Sequence, residues 1–120
     1  MRHATQPDIQ SLPTLKNRED FLRVQKHGKK WVSKSLILQI AENECEHMRT
    51  GYTVTKRTFK SAVKRNRIKR RLRAVSYDIL PAHAKTGYDY ILIGRQDTLT
   101  RPYDDLLKDL KWCLKRLELS

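Results

Sequence analysis

The chain has 120 residues, with 26 basic and 13 acidic side chains and a formal net charge of +13 at pH 7. That length suits one compact domain with a single core. No apolar run approaches the roughly 20 residues that a membrane span needs, and the first ten residues lack the apolar core of a signal peptide. We therefore expect a cytoplasmic protein with no membrane partner. So strong a positive charge predicts a dense polyanion, most simply nucleic acid, as the partner.

The first part of the chain predicts an arm followed by a short helix. Residues 1–14 carry two prolines and no hydrophobic periodicity, which predicts a flexible N-terminal arm before a single folded domain at residues 15–120. Asn17 is a suitable N-cap, and Gly28 can end a helix of about ten residues. We therefore expect the folded part of the chain to begin with this helix.

Two strands are predicted next. The segment WVSKSLILQIAE is rich in strand formers and alternates, with Leu36, Leu38 and Ile40 on one face and Ile37 and Gln39 on the other. The segment GYTVTKR alternates in the same way. Because the two follow one another in the chain, we expect them to pair as a hairpin.

The second half of the chain predicts a basic helix, a loop, a central strand and a final helix. The loop is PAHAKTG, and the nearly all-apolar DYILIG is typical of a central strand. Thr100 and Pro102 open the final helix, whose apolar stripe consists of Leu106, Leu107, Leu110, Cys113, Leu114 and Leu117. The order αββαβα predicts an α+β fold, a single-domain sandwich in which helices cover a small sheet.

The basic helix contains the most informative segment, KSAVKRNRIKRRLRAV, residues 60–75, in which eight of sixteen residues are Lys or Arg and none is acidic. At 100° per residue, one arc of about 140° holds Arg65, Asn66, Lys69, Arg70 and Arg73. The apolar stripe of Ile68, Leu72, Val75 and Ile79 lies elsewhere on the helix. A solvated surface normally interleaves Glu with Lys, and this one does not. The pattern therefore favours polyanion binding over a merely solvated face.

The sequence predicts no catalytic residue and no protein metal site. Glu42, Glu44 and Glu46 have the pattern of ordinary surface acids, and the four histidines are scattered. Cys45 and His47 lack the second ligand pair of a zinc site. The two cysteines are far apart in sequence and predict free thiols. We therefore expect the chain alone to be catalytically inert.

Arg65-Asn66-Arg67 followed by Ile68-Lys69-Arg70 resembles the basic signature of the protein subunit of bacterial ribonuclease P. The segments LKNREDFLRV, GYTVTKR and DYILIGR occur in the family's order, and the resemblance extends from Leu15 to Leu117. It implies a further short strand near Trp31 and a left-handed β-α-β crossover, where the general rule would favour a right-handed one.

The resemblance also implies a function. Members of the family bind a large catalytic RNA, which removes the 5′ leader of precursor tRNA in a magnesium-dependent hydrolysis. Mg²⁺ would be bound mainly by the RNA, with no organic cofactor and no small-molecule substrate. The implied contacts to the catalytic RNA are Arg65, Asn66, Arg67, Lys69, Arg70 and Arg73. A cleft between the basic helix and the sheet would hold the leader and be lined by Phe21, Ile37, Gln39, Thr53 and Arg57.

The sequence departs from the family pattern near this cleft. Gln25 and Gln39 stand where family members often carry aromatic residues, and the loop Thr58–Ser61 lacks the usual glycine. One hypothesis is that Phe59 replaces a missing aromatic.

The alternative function is a structural RNA-binding protein of the ribosomal type with no role in catalysis. A DNA-binding factor is a weaker alternative because no helix-turn-helix partner precedes the basic helix.

Overall fold

The computed structural model describes residues 12–15, 17–43 and 47–119. It confirms a small α+β fold with a four-stranded sheet and helices. Among the described residues, no helix is long and apolar enough to cross a membrane. The elements are α1 (Arg18–His27), β1 (Lys29–Val32), β2 (Leu36–Glu42), β3 (Arg49–Thr53), α2 (Ala62–His83), β4 (Tyr88–Gly94), α3 (Gln96–Thr100) and α4 (Tyr103–Arg116).

The sheet has the strand order β1-β2-β4-β3. β2 is antiparallel to both β1 and β4, whereas β3 and β4 are parallel. β4 is central, as predicted, and β1 contains Trp31, which confirms the short strand that the resemblance implied. The predicted hairpin between β2 and β3 is wrong, because β4 lies between them. The apolar β4 gains most from a central position covered on both faces, whereas β3, with Arg49 and Thr53, suits an edge.

The parallel pairing of β3 with β4 requires a long crossover, which α2 supplies. The left hand of this crossover stays a prediction. α2 continues to His83 and includes Pro81, so the predicted loop PAHAKTG is shorter than expected. Burial of Ile79 and Leu80 holds this last turn on the sheet although proline lacks an N–H group. Gly87, with φ at +82°, then makes the turn into β4.

The main core lies between one face of the sheet and the two long helices, α2 and α4. It includes the whole predicted apolar stripe of α2: Ile68, Leu72, Val75 and Ile79. Leu36, Leu38 and Ile40 of β2 face the same core, as their alternation predicted. A smaller cluster on the opposite face joins α1 to the sheet through Leu15, Val24, Ala41 and Ile91. Helices therefore cover both faces of the sheet, which is the predicted sandwich.

Most of the predicted N-terminal arm, residues 1–11, lies outside the described residues. Its last residues run beside the edge strand β3. The Thr50 N–H donates to Pro13 O at 2.9 Å, and the Leu15 N–H donates to Thr50 O at 2.7 Å. The chain therefore joins the sheet edge slightly before Leu15.

The packing of α2 can be tested with Leu72→Ala. Leu72 is fully buried in the main core, so its truncation should lower the free energy of unfolding by about 2–5 kcal/mol. Urea unfolding followed by circular dichroism measures this loss. The matched control is Val63→Ala on the same helix, where Val63 is 71% exposed and the change should stay within about 0.5 kcal/mol. Equal losses in the two variants would contradict the buried face assigned to α2.

Candidate nucleic-acid interface

One side of α2 presents six polar side chains to solvent. Ser61 caps the helix, because its Oγ accepts the Lys64 N–H at 3.3 Å. Since Ile68 and Leu72 are fully buried, the residues on the other side must face water. We call these six residues the α2 basic face: Arg65, Asn66, Arg67, Lys69, Arg70 and Arg73, of which Arg65 and Lys69 are half-buried and the others exposed. The structure thus brings together all six residues predicted to contact RNA.

Two arginines of the α2 basic face are held by neutral groups. Arg65 Nη1 donates to the carbonyl oxygens of Phe59 at 2.6 Å and Lys60 at 2.8 Å, which fixes the loop before the helix. Arg73 Cζ lies 5.4 Å from the ring centroid of Tyr52 on β3. Burial raises the pKa of Tyr52, so the ring stays neutral. Both guanidinium groups are therefore positioned without losing their net charge.

Arg71 belongs to a different part of the surface. Its Nη1 donates to Leu99 O at 2.7 Å, and its other terminal nitrogen bonds to Arg101 O. These contacts fasten α3 and the residue that follows it to α2. The short helix α3 was not predicted from the sequence, since its five residues carry no clear apolar periodicity.

The five predicted cleft residues lie on the face of the sheet that α1 covers, so the predicted position between α2 and the sheet is wrong. Successive side chains of a strand point to opposite faces. Leu36 and Leu38 face the core beneath α2, and Ile37 and Gln39 must therefore face α1. We call the open part of this face, which begins beside α1 and continues past it, the α1 cleft.

The α1 cleft consists of two adjoining depressions. The first, of about 410 Å³, brings Phe21 together with Gln39 and Thr53. The second, of about 480 Å³, is lined by Ile37 and Arg57 among others. Sequence reasoning missed three basic residues of this lining: Arg18, Lys34 and Arg95. Arg18 could have been found, because it precedes Phe21 by three positions and so shares its helix face.

Phe21 and Gln39 have distinct settings within the α1 cleft. The Phe21 ring lies against Gly51, where an added Cβ would approach Phe21 Cζ to 2.7 Å. Gln39 Oε1 is buried and has no hydrogen-bond partner among the described residues. The hypothesis that Phe59 supplies an aromatic to the cleft is contradicted, because Phe59 packs against the main core on the opposite face.

A buried carboxylate, Asp89, ties α1 to the sheet at one end of this face. Arg49 binds it through Nε and Nη2, at 2.8 and 2.9 Å, and Asn43 Nδ2 donates to it at 2.8 Å. Arg23 of α1 also pairs with Asp89. Burial alone would raise the pKa of Asp89, but the hydrogen bonds and charges of these partners outweigh it and lower the pKa.

The described residues contain no cluster of metal-ligating side chains and no exposed cysteine thiol. No group of three or more His, Cys, Asp or Glu side chains there could hold a metal ion. Cys113 is a free, buried thiol, and burial raises its pKa to about 11. Glu44, Cys45 and Glu46 lie outside the described residues.

Comparison with known proteins identifies the family. The family model described as Ribonuclease P matches residues 10–118. The chain belongs to the ribonuclease P protein family. The ribonuclease P protein component of Paramagnetospirillum magneticum is 47% identical over 111 residues, which cover 88% of this chain and 83% of that protein.

Solved structures agree with this assignment. The Staphylococcus aureus ribonuclease P protein superposes with a TM-score of 0.75 and 27% identity, covering 91% of this chain and 98% of that one. The Thermotoga maritima protein, with a TM-score of 0.74 and 24% identity over 86% of this chain and 96% of that one, supports the fold alone. The chain is thus a protein component of an endoribonuclease complex of tRNA processing, with an RNA partner. This decides against the ribosomal-type and DNA-binding alternatives.

The role of Asp89 can be tested by pH. Since folding lowers its pKa below the ordinary 3.8, its contribution to stability is complete above that value and is lost as the pH falls through the lowered pKa. Removing one partner of a buried ion pair lowers the free energy of unfolding by about 3–5 kcal/mol. Arg23 and Arg49 are partly exposed and can be hydrated when the carboxylate is removed. Asp89→Asn should therefore lower the free energy of unfolding by about 2–3 kcal/mol at pH 7.

Unfolding free energies at pH 7, 5, 4 and 3 measure this effect. The difference between the wild-type protein and Asp89→Asn should shrink in acid. Asp104→Asn, at an exposed position in the first turn of α4, is the control and should cost at most about 1 kcal/mol. A difference for Asp89→Asn that stays constant down to pH 3 would contradict a lowered pKa.

Proposed function

We propose that the α2 basic face binds the catalytic RNA of ribonuclease P and that the α1 cleft binds the 5′ leader of precursor tRNA. The protein would thereby assist magnesium-dependent removal of the leader, working in the cytoplasm. The observation that carries the proposal is the pairing of a wide cationic surface with a narrow cleft on opposite faces of one small sheet. A scaffold that only bound RNA would need the first surface and not the second.

The chemistry of the α2 basic face supports binding to a folded RNA. None of its six residues forms an ion pair with a described residue, so their charge is available to phosphates. Arginine matches phosphate oxygens with two parallel hydrogen bonds. Asn66, which is exposed among these arginines, can donate to and accept from a base edge or a ribose hydroxyl.

The α1 cleft suits a single strand. The Phe21 ring offers a stacking surface, and a stacked base contributes about 1–3 kcal/mol. Gln39 supplies an unpaired acceptor, while Arg57 and Lys34 at the neighbouring depression can contact phosphates. With glutamines at positions 25 and 39, hydrogen bonds and charge would contribute more to leader binding than aromatic stacking does.

The hydrolysis itself is assigned to the RNA. Mg²⁺ prefers oxygen ligands, chiefly carboxylates, phosphates and water, whereas both proposed surfaces are lined mainly by cations, amides and apolar groups. These residues do not fit Mg²⁺, so the RNA would hold it. Lysines and arginines beside two RNA strands would screen the repulsion between the leader and the catalytic RNA. Tighter substrate binding at low magnesium follows from that screening.

Reconstitution tests the proposal directly. Cleavage of a precursor tRNA at low Mg²⁺ would be measured with the protein alone, with a bacterial ribonuclease P RNA alone and with both. We expect strong activity only in the mixture. Arg70→Gln should raise the protein concentration needed and lower the log–log salt slope of RNA binding by about 0.7–0.9, the value for one phosphate contact.

Lys26→Gln, which removes one charge from an exposed position on α1, is the charge-matched control and should leave both quantities unchanged. Activity from the protein alone would contradict the assignment of chemistry to the RNA. If the protein does not change the cleavage activity of the RNA, the proposal as a whole is contradicted.

Phe21→Ala tests the cleft separately. Loss of one stacked base should weaken the holoenzyme's affinity for a leader-bearing precursor by roughly 5- to 150-fold. Affinity for mature tRNA, which has no leader, should not change. Equilibrium binding to both RNAs distinguishes the outcomes, and an equal loss for both would place Phe21 outside the leader site.

A further inference from the structure

The edge of the sheet opposite β3 carries a second surface that is both basic and aromatic. β1 is the edge strand there, and α4 packs beside it through its apolar stripe. We call the following residues the β1–α4 surface: the half-buried Trp31 and the exposed Lys108, Lys111, Trp112, Lys115 and Arg116. The four cations span about 12 Å along the helix axis.

An arginine stacked on aromatic rings organises this surface. Arg116 Cζ lies 4.9 Å from the Trp31 ring centroid and 5.5 Å from that of Trp112. The same device occurs at the other edge, where Arg73 of α2 lies over Tyr52 of β3. In both places a ring holds the guanidinium in position while its positive charge stays uncompensated.

A purely structural role explains only part of the β1–α4 surface. The contact between Trp31 and Arg116 ties the end of α4 to β1, and basic residues in a last turn suit the helix dipole. Neither reason accounts for Trp112, which leaves 49% of its surface in water. From Leu110 to Arg116 the helix carries three basic residues and no acidic one.

The charges on this surface are also unpaired. Within the described part of the chain, none of its four cations forms an ion pair with a carboxylate. The nearby Asp109 is engaged by Arg101 at 2.6 Å and by the Ser35 hydroxyl at 2.5 Å. An exposed indole ringed by unpaired cations is the arrangement that proteins use for single-stranded nucleic acid.

We propose that the β1–α4 surface binds an unpaired segment of RNA, with one base stacked on Trp112 and phosphates contacting the surrounding lysines and Arg116. In a duplex the faces of the bases are stacked on one another, and an acidic polypeptide contains no bases. Neither partner could therefore stack a base on the exposed indole. This contact would be separate from the α2 basic face, because it lies at the edge of the sheet opposite β3. It would also be separate from the α1 cleft, because α4 and α1 pack on opposite faces of the sheet.

The two tryptophans of the chain are both in this surface, so intrinsic fluorescence reports on it directly. Trp31→Phe leaves Trp112 as the sole indole. Titration with an unstructured oligoadenylate should quench its emission to saturation, whereas polyglutamate of equal charge should not. If Trp31→Phe fails to fold, the wild-type protein gives the same readout from both indoles.

Binding of the labelled oligoadenylate, followed by anisotropy, tests the residues. Trp112→Leu should weaken it by roughly 5- to 150-fold. Lys111→Gln with Lys115→Gln should lower the log–log salt slope by about 1.4, the value for two single-strand phosphate contacts. The control pair Lys26→Gln with Lys85→Gln removes the same charge from exposed positions outside all three surfaces and should leave the slope unchanged.

Several results would overturn the inference. An anisotropy change without quenching of Trp112, and unaffected by Trp112→Leu, would place the RNA on the other surfaces and leave the proposed function standing. Quenching by polyglutamate would indicate an acidic partner. A change in Trp112 emission with protein concentration alone would indicate a second copy of the chain.

The source of the RNA segment is resolved by acrylamide quenching of Trp112 in the assembled enzyme. Protection on adding the ribonuclease P RNA assigns the segment to the enzyme's own RNA subunit. Protection that appears only with precursor tRNA assigns it to the substrate. If Trp112 stays equally accessible in both complexes, the inference is wrong, even where the reconstituted enzyme is active.

Discussion

The parallel pairing of β3 with β4 is the constraint on which the rest of the structure depends. Parallel neighbours cannot be joined by a tight turn, so the chain needs a long crossover, and α2 fills it. One side of α2 must then be apolar to pack on the sheet. Its basic residues are thereby confined to the opposite side. A dense cationic surface is the result of the same geometry that builds the core.

The second constraint is the buried ion pairing at Asp89. β4 carries Asp89, Ile91 and Ile93 on one face, and α1 is tied to the first of these through Arg23. Ile91 is covered by the small cluster under α1, but Ile93 is only partly buried. The far end of the face therefore stays open. The α1 cleft is this open part of the face, and the side of α1 forms one of its walls.

The sequence predicted features set by local periodicity and missed those set by competition between distant segments. The apolar stripe of α2 and the alternation of Leu36, Leu38 and Ile40 follow from side-chain geometry, and both are confirmed. The predicted hairpin of β2 with β3 was wrong because neighbours in the chain need not be neighbours in the sheet. Burying the apolar β4 at the centre of the sheet stabilises the fold more than pairing β2 with β3 would. The cleft was predicted beside α2, but Ile37 and Gln39 alternate with the core residues Leu36 and Leu38. They therefore face α1, on the other side of the sheet. Contacts to backbone carbonyl oxygens, such as those of Arg65, cannot be predicted from sequence, because every residue has a carbonyl group.

The arginines of this chain divide according to what holds them. Arg23, Arg49 and Arg101 pair with carboxylates, and those pairs fix elements of the fold. Arg65 and Arg73 are held instead by carbonyl oxygens and an aromatic ring. Such neutral partners restrict a guanidinium without cancelling its charge, which reduces the entropy lost when a phosphate binds. In this chain of net charge +13, Asp20, Asp89 and Asp109 are thus paired within the fold, while the guanidinium groups of Arg65 and Arg73 stay positioned but uncompensated. The proposed RNA contact would relieve the repulsion among the basic side chains of α2, because its phosphates would supply the missing negative charge.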